Sequence, residues 1–369
     1  MRFLFPLDGD CINKNDGILT DGGILIEARV SAPAESEIFI GGERAKFSDG
    51  VWSAKVLVSD YKTILAAEDV SNSEREEITL LRFRDPVGKF RLSSDDNILF
   101  LLDLTENCDK YKSIFDNPYL ALYKAAHDRF SAKVHLNLFY EYIPDEKYFA
   151  PPRPYFNLSM MTDKFKREFE ENSDWLKLAF HANSEFPDKP YKYASAEKIR
   201  EDYERVVSEI VRFAGEGSLS DTTTVHWGEA NREVVRELRA QGLRSLTGYF
   251  RRTAKGDPRV SYYFDGGALD HIGSRDFWYD SDEDMIFAQI DFVLNEKRYE
   301  EVMAALPAIA DDPQRGGFIS LMIHEQYFHS DYYRHLPDFS ARVLDACEYL
   351  YSRGYRGEHI GSITAKNNL

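Results

Sequence analysis

From residue 88 onward, short apolar runs alternate with segments of helical periodicity. Such alternation is typical of repeated strand–helix units, which assemble parallel sheets. About seven strands with intervening helices predict an α/β fold, a distorted (β/α) barrel of roughly TIM-barrel size. We predict its strands over residues 89–94, 133–140, 176–182, 222–227, 245–248, 260–265 and 317–324.

Four segments of the same region predict helices. Residues 196–213, 230–241 and 339–353 each place apolar side chains on one helical face. A fourth helix is predicted to begin after Ser281, because Ser281 and Asp284 have the spacing of a capping box ahead of further apolar residues.

The first ~85 residues have a different pattern, with period-two alternation broken by turn residues. The clearest strands cover residues 23–30, 37–40, 51–58 and 77–83. Several short strands at this spacing predict a small all-β sandwich, similar to the immunoglobulin-like modules attached to carbohydrate enzymes. We therefore predict two domains: a β-sandwich accessory domain at 1–87 and the barrel at 88–369.

The net charge of the chain restricts the classes of molecule that it is expected to bind. Its net charge is −17, from 46 basic and 63 acidic residues. Nucleic-acid sites are built from Lys and Arg facing phosphates, so we expect no nucleic-acid partner. No stretch approaches the ~18 apolar residues of a membrane span, and the N-terminus lacks the apolar core of a signal peptide. We expect a cytoplasmic protein; the sequence does not predict its oligomeric state.

Polar residues follow four of the predicted barrel strands. They are Asp95 and Asp96, His181, His226 with Trp227, and His324 with Glu325. In a (β/α) barrel the C-terminal ends of the strands meet at one face, where functional groups gather. The sequence therefore predicts one shared site built from these residues.

In their order, these strand ends resemble the motifs of the polysaccharide deacetylases, the NodB-homology family. The resemblance spans roughly residues 88–355. It implies a distorted (β/α) barrel with a divalent metal, usually zinc, as cofactor. It also implies a metal-dependent hydrolase that removes acetyl groups from N- or O-acetylated sugars, so that the partner is a carbohydrate substrate.

Two family motifs match well. The family's Ser/Thr-Phe-Asp-Asp-Gly has its counterpart in Ser94-Asp95-Asp96-Asn97. The resemblance implies that Asp95 is the general base and Asp96 a metal ligand. Asn97 stands where the family has Gly, and Asn also tolerates unusual turn geometry. The Leu-x-Leu-His motif matches the segment ending at His324, which implies that His324 is the general acid.

Two motifs are altered. The family's His-Ser/Thr-x-x-His begins at His181 here, but its second histidine is replaced by Glu185. The Arg of the third motif is replaced by His226. The resemblance implies that Asp96 and His181 hold the metal with a third ligand. Either Glu185 or His226 could supply it, because carboxylates and imidazoles both bind zinc.

Aromatic residues beside these ends suggest sugar stacking, and Trp227 and Tyr327 are the candidates for substrate contact. Two other functions remain open. A glycoside hydrolase on a related barrel would use two carboxylates, for which Glu106, Glu141, Glu185 and Glu325 offer pairs. A non-catalytic glycan-binding protein would explain the altered motifs.

Overall fold

The computed structural model describes residues 1–365, which form two compact units. The first unit contains Met1–Val87 together with Phe277–Ile286 and residues 363–365. The second contains Gly88–Asp276 and Phe287–Ser362. The N-terminal segment of the first unit ends at Val87, which is also the last residue of the predicted accessory domain. Assignment of residues 1–87 and 88–369 to an accessory and a barrel domain stays a prediction.

The N-terminal unit is built from short strands. They are β1 (Arg2–Phe5), β2 (Cys11–Ile12), β3 (Ile18–Thr20), β4 (Gly23–Ser31), β5 (Ile38–Ile40), β6 (Glu43–Arg44), β7 (Lys46–Ser48), β8 (Val51–Val58), β9 (Lys62–Asp69) and β10 (Glu74–Arg82). One sheet has the order β1-β4-β8-β7 with β3 on β4, and the other has the order β2-β10-β9-β5-β6.

Strict alternation explains why these two sheets share a core. In β4, Ile26 and Ala28 are buried while Glu27 and Arg29 are exposed, because successive side chains of a strand point to opposite faces. Buried residues of both sheets, such as Ile26 and Leu65, belong to one apolar cluster. The two sheets therefore form a sandwich around this cluster; its immunoglobulin-like topology stays a prediction.

The remaining strands follow from residue 89 on. They are β11 (Lys89–Asn97), β12 (Val134–Phe139), β13 (Glu141–Tyr142), β14 (Phe156–Asn157), β15 (Leu176–Ala182), β16 (Thr222–Thr223), β17 (Ser245–Gly248), β18 (Arg251–Arg252), β19 (Pro258–Arg259), β20 (Phe277–Asp280), β21 (Met285–Gln289), β22 (Phe292–Val293), β23 (Phe318–His324) and β24 (Arg356–Gly357).

Helices separate these strands. They are α1 (Leu99–Glu106), α2 (Pro118–Phe130), α3 (Lys166–Glu171), α4 (Ala196–Ala214), α5 (Arg232–Ala240), α6 (Gly266–Ile272), α7 (Tyr299–Ala310), α8 (Phe339–Ser352) and α9 (Ile360–Thr364). Short 3-10 helices cover Ile114–Asp116, Leu158–Met160, Glu216–Ser218, His226–Gly228 and Glu325–Phe328. None of the helices within residues 1–365 is long and apolar enough to cross a bilayer.

The second unit is centred on a parallel sheet of order β15-β12-β11-β23-β22, with β24 pairing the start of β11. Its strands read as nearly continuous buried runs, as expected for a sheet covered on both faces. The register places Asp95 of β11 opposite His324 of β23. A second sheet pairs β16 with β17 and β17 with β21. The mixed α/β class is confirmed, but residues 1–365 show no continuous ring of paired strands that closes a barrel.

Two secondary-structure predictions are wrong, and a third strand is shorter than predicted. The helix predicted after Ser281 is replaced by β21 and β22. The Asp280 side chain closes the preceding turn by accepting the backbone N–H groups of Asp282 and Glu283, so the capping-box spacing of Ser281 was coincidental. The predicted strand at 260–265 is irregular loop, and the one at 222–227 ends after Thr223, where a 3-10 turn begins soon afterwards.

Candidate metal centre and active site

Two adjacent carboxylates, those of Asp95 and Asp96, lie near the end of β11, where the backbone turns sharply. Asp96 has a left-handed conformation with φ of 61°, which Asp adopts more readily than most residues. The tolerance of Asn for unusual turns is not used at position 97. Asn97 is buried, and its Nδ2 donates to the carbonyl oxygens of Ser94 at 2.7 Å and Asn137 at 3.0 Å. Asn97 therefore ties β11 to β12 directly behind the carboxylates.

Glu325 anchors the helix that follows. It is fully buried, and its carboxylate accepts the backbone N–H groups of Ile98 at 2.7 Å, Leu99 at 2.9 Å and Phe100 at 2.6 Å. The first N–H groups of a helix have no partner within it, and a negative charge there is favoured by the helix dipole. Glu325 thus acts as a cap supplied from the end of β23, and α1 holds the Asp95–Asp96 turn in place.

Three side-chain atoms converge beside this turn. The Nε2 atom of His181 lies 3.0 Å from Oδ1 of Asp96, and Nδ1 of His226 lies 3.4 Å from the same oxygen. The two ring nitrogens are 3.1 Å apart. Among residues 1–365, this is the group of three that could hold a metal ion. The structure thus brings together Asp96, His181 and His226 from three different strand ends.

Both histidines are oriented by backbone carbonyl groups. Nδ1 of His181 lies 2.6 Å from the carbonyl oxygen of Thr224, and Nε2 of His226 lies 3.0 Å from that of Glu185. A carbonyl oxygen only accepts, so each of these nitrogens carries its proton. In the neutral rings, the nitrogens that face each other and Asp96 are therefore unprotonated. Such second contacts are typical of histidines that bind metals.

A divalent metal fits this arrangement. The three ligand atoms are 3.0, 3.1 and 3.4 Å apart, which is compatible with zinc bonds to nitrogen and oxygen of about 2.0–2.2 Å, so Asp96, His181 and His226 would hold the ion. Without a cation, two nitrogen lone pairs and a carboxylate would face each other across a buried space, which costs free energy. Two imidazoles and one carboxylate also form a donor set that suits zinc.

The titration of these groups reflects the crowding. Burial works to raise the pKa of Asp96, but the hydrogen bonds that His181 and His226 donate to it in their protonated forms, together with the charge of His324, outweigh burial and hold the pKa well below its usual value. Burial works to lower the pKa of His181, but its contact with Asp96 and the charge of Asp95 prevail and raise it. Protons and metal ions therefore compete for the same lone pairs.

Glu185 lies outside this cluster of three. Its backbone carbonyl orients His226, while its side chain lines the cavity around the cluster. Burial, followed by the negative charge of Asp96, raises the pKa of the Glu185 carboxyl to about 8. The Glu185 side chain is not among the three that converge at the cluster.

Asp95 lies next to the cluster without belonging to it. It is buried, and its Oδ1 accepts a 2.6 Å hydrogen bond from Nδ2 of Asn137. The fully buried Arg91 of the same strand donates to the hydroxyl groups of Ser320 at 2.9 Å and Ser93 at 3.0 Å. Burial lowers the pKa of Arg91 to about 10, against the opposing charge of Asp95. A guanidinium inside the sheet thus supplies positive charge near Asp95.

His324 faces the cluster from the opposite strand end. Its Nδ1 donates to Oδ1 of Asn295 at 3.0 Å, and its backbone N–H donates to the same oxygen at 3.2 Å. Nε2 of His324 then points to Asp96, 4.0 Å from its Oδ2. Gln326 donates to that oxygen at 2.8 Å. His324 is therefore held with Nε2 directed at the site, where it can transfer a proton.

A cavity of about 530 Å³ joins these groups to the surface. Asp95, His181, His226 and His324 line it together with the predicted substrate residues Trp227 and Tyr327. Trp227 is 44% exposed, and its φ of 65° is strained for a bulky residue. Its indole forms part of the wall beside His226.

Sequence reasoning missed four polar residues that support the site: Arg91, Asn137, Asn295 and Gln326. Arg91 stands inside a buried strand, and an unexplained charge there is a signal in retrospect, since Arg is rarely buried without a role. Gln326 lies two residues after the predicted acid His324, on the same strand end. Asn137 occupies a buried strand next to β11. Asn295 has no comparable local signal, because its contact depends on the fold.

No protein-family model matches the chain, and no curated protein sequence does. Two solved structures of BA3943, described as a CE4 family pseudoenzyme, align with most of it. A mutant with restored enzymatic activity is 11% identical, with coverage of 81% of this chain and 79% of its own and a TM-score of 0.31. The wild type from Bacillus anthracis is 9% identical, with coverage of 79% and 75% and a TM-score of 0.32. Similarity at this level does not establish a family.

Proposed function

We propose that the chain is a metal-dependent hydrolase that cleaves an acyl bond on a sugar or polysaccharide. The observation that carries this proposal is the convergence of His181 Nε2, His226 Nδ1 and Asp96 Oδ1 within 3.4 Å, with both imidazoles oriented from behind. We propose zinc as the metal. The motif resemblance to polysaccharide deacetylases supports a distorted (β/α) barrel and names acetyl as the group removed.

We propose His226, rather than Glu185, as the third ligand. His226 has its Nδ1 directed at the other two ligand atoms, whereas Glu185 contributes a backbone carbonyl that orients that ring. The histidine lost from the second motif is thereby replaced by one from another strand end. Three protein ligands leave a position for water, which is the arrangement of catalytic rather than structural zinc sites.

When bound, the metal lowers the pKa of a water molecule towards neutrality and polarises the acyl carbonyl. Asp95, the proposed general base, takes the proton of the attacking water as the bond from the water oxygen to the acyl carbon forms. His324, the proposed general acid, gives the proton on its Nε2 to the leaving nitrogen or oxygen as the acyl bond breaks. Asn295 keeps the other ring nitrogen of His324 protonated and so fixes this direction of transfer.

Of the four glutamates offered for a glycoside hydrolase, Glu141 and Glu185 line the same cavity beside the cluster, whereas Glu325 and Glu106 are not available as a pair. The buried carboxylate of Glu325 is occupied by three backbone N–H groups at the start of α1. Glu106 lines neither of the two cavities near the cluster. A glycosidase needs two carboxylates flanking one bond. A glycan-binding protein without catalysis remains as an outcome of the experiment below.

Metal content of the purified protein tests the proposal. Elemental analysis of wild type, Asp96→Ala and His181→Ala should find about one zinc per chain in the wild type and little in either variant. Asp95→Asn should keep its metal but lose turnover of acetylated sugars. A wild type that binds no divalent metal after reconstitution would overturn the hydrolase. Metal bound without turnover of any acylated sugar would favour the glycan-binding protein.

A further inference from the structure

A second cavity, of about 310 Å³, lies beside the metal cluster. It shares five wall residues with the larger cavity: Asp96, Tyr148, Glu185, Gln326 and Tyr332. The rest of its wall is mostly apolar, with Ile98, Leu99, Phe139, Ile143, Phe149 and Phe186 among its residues. The ring of Phe139 packs 5.2 Å from that of His181 and 5.0 Å from that of His226. Apolar surface therefore continues directly to the proposed ligands.

The volume of this apolar cavity exceeds what an acetyl group needs. An apolar cavity of about 150 Å³ already holds a benzene molecule. The cavity beside Asp96 has about 310 Å³, so a methyl group would leave most of it unfilled. A chain of several methylene groups or an aromatic ring would fill it, and dispersion contacts with the wall are lost wherever a gap remains.

The positions of the acid and base show which part of a substrate would enter it. Asp95 and His324 line only the larger cavity, so the attacking water and the leaving group must lie there. The apolar cavity touches the cluster through Asp96 and contains neither residue. With the attacking water and the leaving group in the larger cavity, the apolar cavity offers adjoining space for the remaining substituent of the acyl carbon.

Gln326 adds a polar contact at the junction of the two cavities. Its Nε2 donates to Asp96, which fixes the orientation of the amide, because a carboxylate only accepts. Its Oε1 is buried without a hydrogen-bond partner. An unsatisfied buried acceptor is costly, so this oxygen is ready to accept an N–H or O–H group of a substrate.

We infer that the apolar cavity binds the acyl substituent of the substrate, and that this substituent is bulkier than acetyl: an aliphatic chain of several carbons or an aromatic ring. This inference rests on the proposed hydrolase function. It replaces acetyl, the group named by the family resemblance, with a larger acyl group on the same sugar amide or ester. The residues that determine this specificity are those of the apolar wall, with Ile143 and Phe186 at its rim.

Binding of primary aliphatic amides, from acetamide to octanamide, tests the inference without turnover. These neutral probes need no metal, and their N–H groups can donate to Gln326. Their affinity, measured by ligand-observed NMR on the full chain without metal, should rise about fourfold per methylene until the cavity is filled. An affinity that does not change from acetamide to octanamide would overturn the inference.

Truncation of the rim locates the binding site. Ile143 is 60% exposed and Phe186 49%, so the double variant Ile143→Ala/Phe186→Ala should fold normally. It should weaken binding of hexanamide about tenfold or more and leave acetamide unchanged. Met160→Ala is the matched control, because Met160 is 49% exposed and lines neither cavity. Equal loss in control and double variant would place the amides elsewhere and overturn the inference.

Turnover then separates this inference from the function on which it rests. Glucosamine carrying acetyl, butanoyl, hexanoyl or benzoyl on its nitrogen should be hydrolysed by the zinc-loaded protein, with kcat/KM rising along the series. Highest activity with acetyl would overturn the inference and support the proposed function. A protein that binds no metal, or that hydrolyses none of these substrates, would overturn the proposed function. The amide series would still decide whether the apolar cavity binds aliphatic groups.

Discussion

The carboxylate of Glu325 accepts the backbone N–H of Ile98 at 2.7 Å, across 227 positions of the sequence. This contact joins the end of β23 to the start of α1, and so links the strand end that carries His324 to the one that carries Asp95 and Asp96. The relative position of acid, base and metal ligand therefore depends on one buried side chain that takes no part in the chemistry.

Glu325→Gln should destabilise the second unit. The amide keeps the shape but removes the charge from three buried N–H contacts, so we expect the free energy of unfolding to fall by about 2–4 kcal/mol. Urea denaturation measures this change. Glu106→Gln, an exposed substitution at the other end of the same helix, is the control and should change stability by less than about 0.5 kcal/mol. Similar small effects for both would contradict the capping role.

His226→Ala and Glu185→Ala should differ in metal binding. Removal of a direct ligand should weaken the affinity for zinc more than the ~10–100-fold typical of supporting contacts. Glu185→Ala keeps the backbone carbonyl that orients His226, so it should bind zinc within about tenfold of wild type. Competition with a chromophoric chelator gives both affinities. The reverse order would assign the third ligand to Glu185.

Arg91→Met should change activity more than stability. The substitution removes a buried charge whose solvation is costly, so we expect the free energy of unfolding to change by less than about 1.5 kcal/mol. The anionic form of Asp95 loses a nearby positive charge. We therefore expect kcat/KM for acetylated sugars at neutral pH to fall by about tenfold.

Two controls separate the charge of Arg91 from its hydrogen bonds. Arg91→Lys keeps the charge and should restore kcat/KM towards the wild-type value. Ser320→Ala removes one hydroxyl partner of Arg91 and should leave kcat/KM nearly unchanged. An unchanged kcat/KM in Arg91→Met would show that Arg91 only fills the interior.

His359 should make the protein sensitive to acid. Burial, followed by the positive charges of Lys133, Lys177 and Arg91, lowers the pKa of His359 to about 3 from its usual 6.5. Below pH 6.5 the unfolded chain therefore binds a proton that the folded one does not. This group should reduce the free energy of unfolding by about 1.4 kcal/mol per pH unit as the pH falls from ~6 towards ~3.

The variant His359→Gln should remove this contribution. Its urea midpoint should fall less steeply with acid than that of wild type. His271→Gln, at a half-buried histidine, serves as the control and should follow the wild-type slope. Parallel slopes for wild type and His359→Gln would show that His359 is protonated equally in both states.

The shared strand-end site could be anticipated because parallel strands end at the same edge of a sheet. Register alone places Asp95 opposite His324. The choice between Glu185 and His226 could not be made, because the direction of the His226 ring depends on a 3-10 turn and on a carbonyl forty-one positions away. The capping role of Glu325 was hidden for the same reason: its partners are distant in sequence.

The secondary-structure errors have a local origin. Residues 285–289 form a continuous buried run, which helices and central strands share, and the spacing of Ser281 and Asp284 favoured the helix. The apolar cavity beside Asp96 left no trace in the sequence, because its wall comes from separate loops and strands. The exposed side chains of Ile143 and Phe186 indicate a binding site only once the structure shows that both line the same cavity.

The left-handed backbone of Trp227 places local strain at the edge of the larger cavity. Glycine adopts φ of 65° without strain, whereas a tryptophan there raises the free energy of the folded state by about 1 kcal/mol. Relief of this strain in Trp227→Gly should therefore offset part of the thermal stability lost with the contacts of the indole. An aromatic side chain in an unfavourable backbone conformation, half open to solvent at the edge of the larger cavity, is placed to contact whatever that cavity binds.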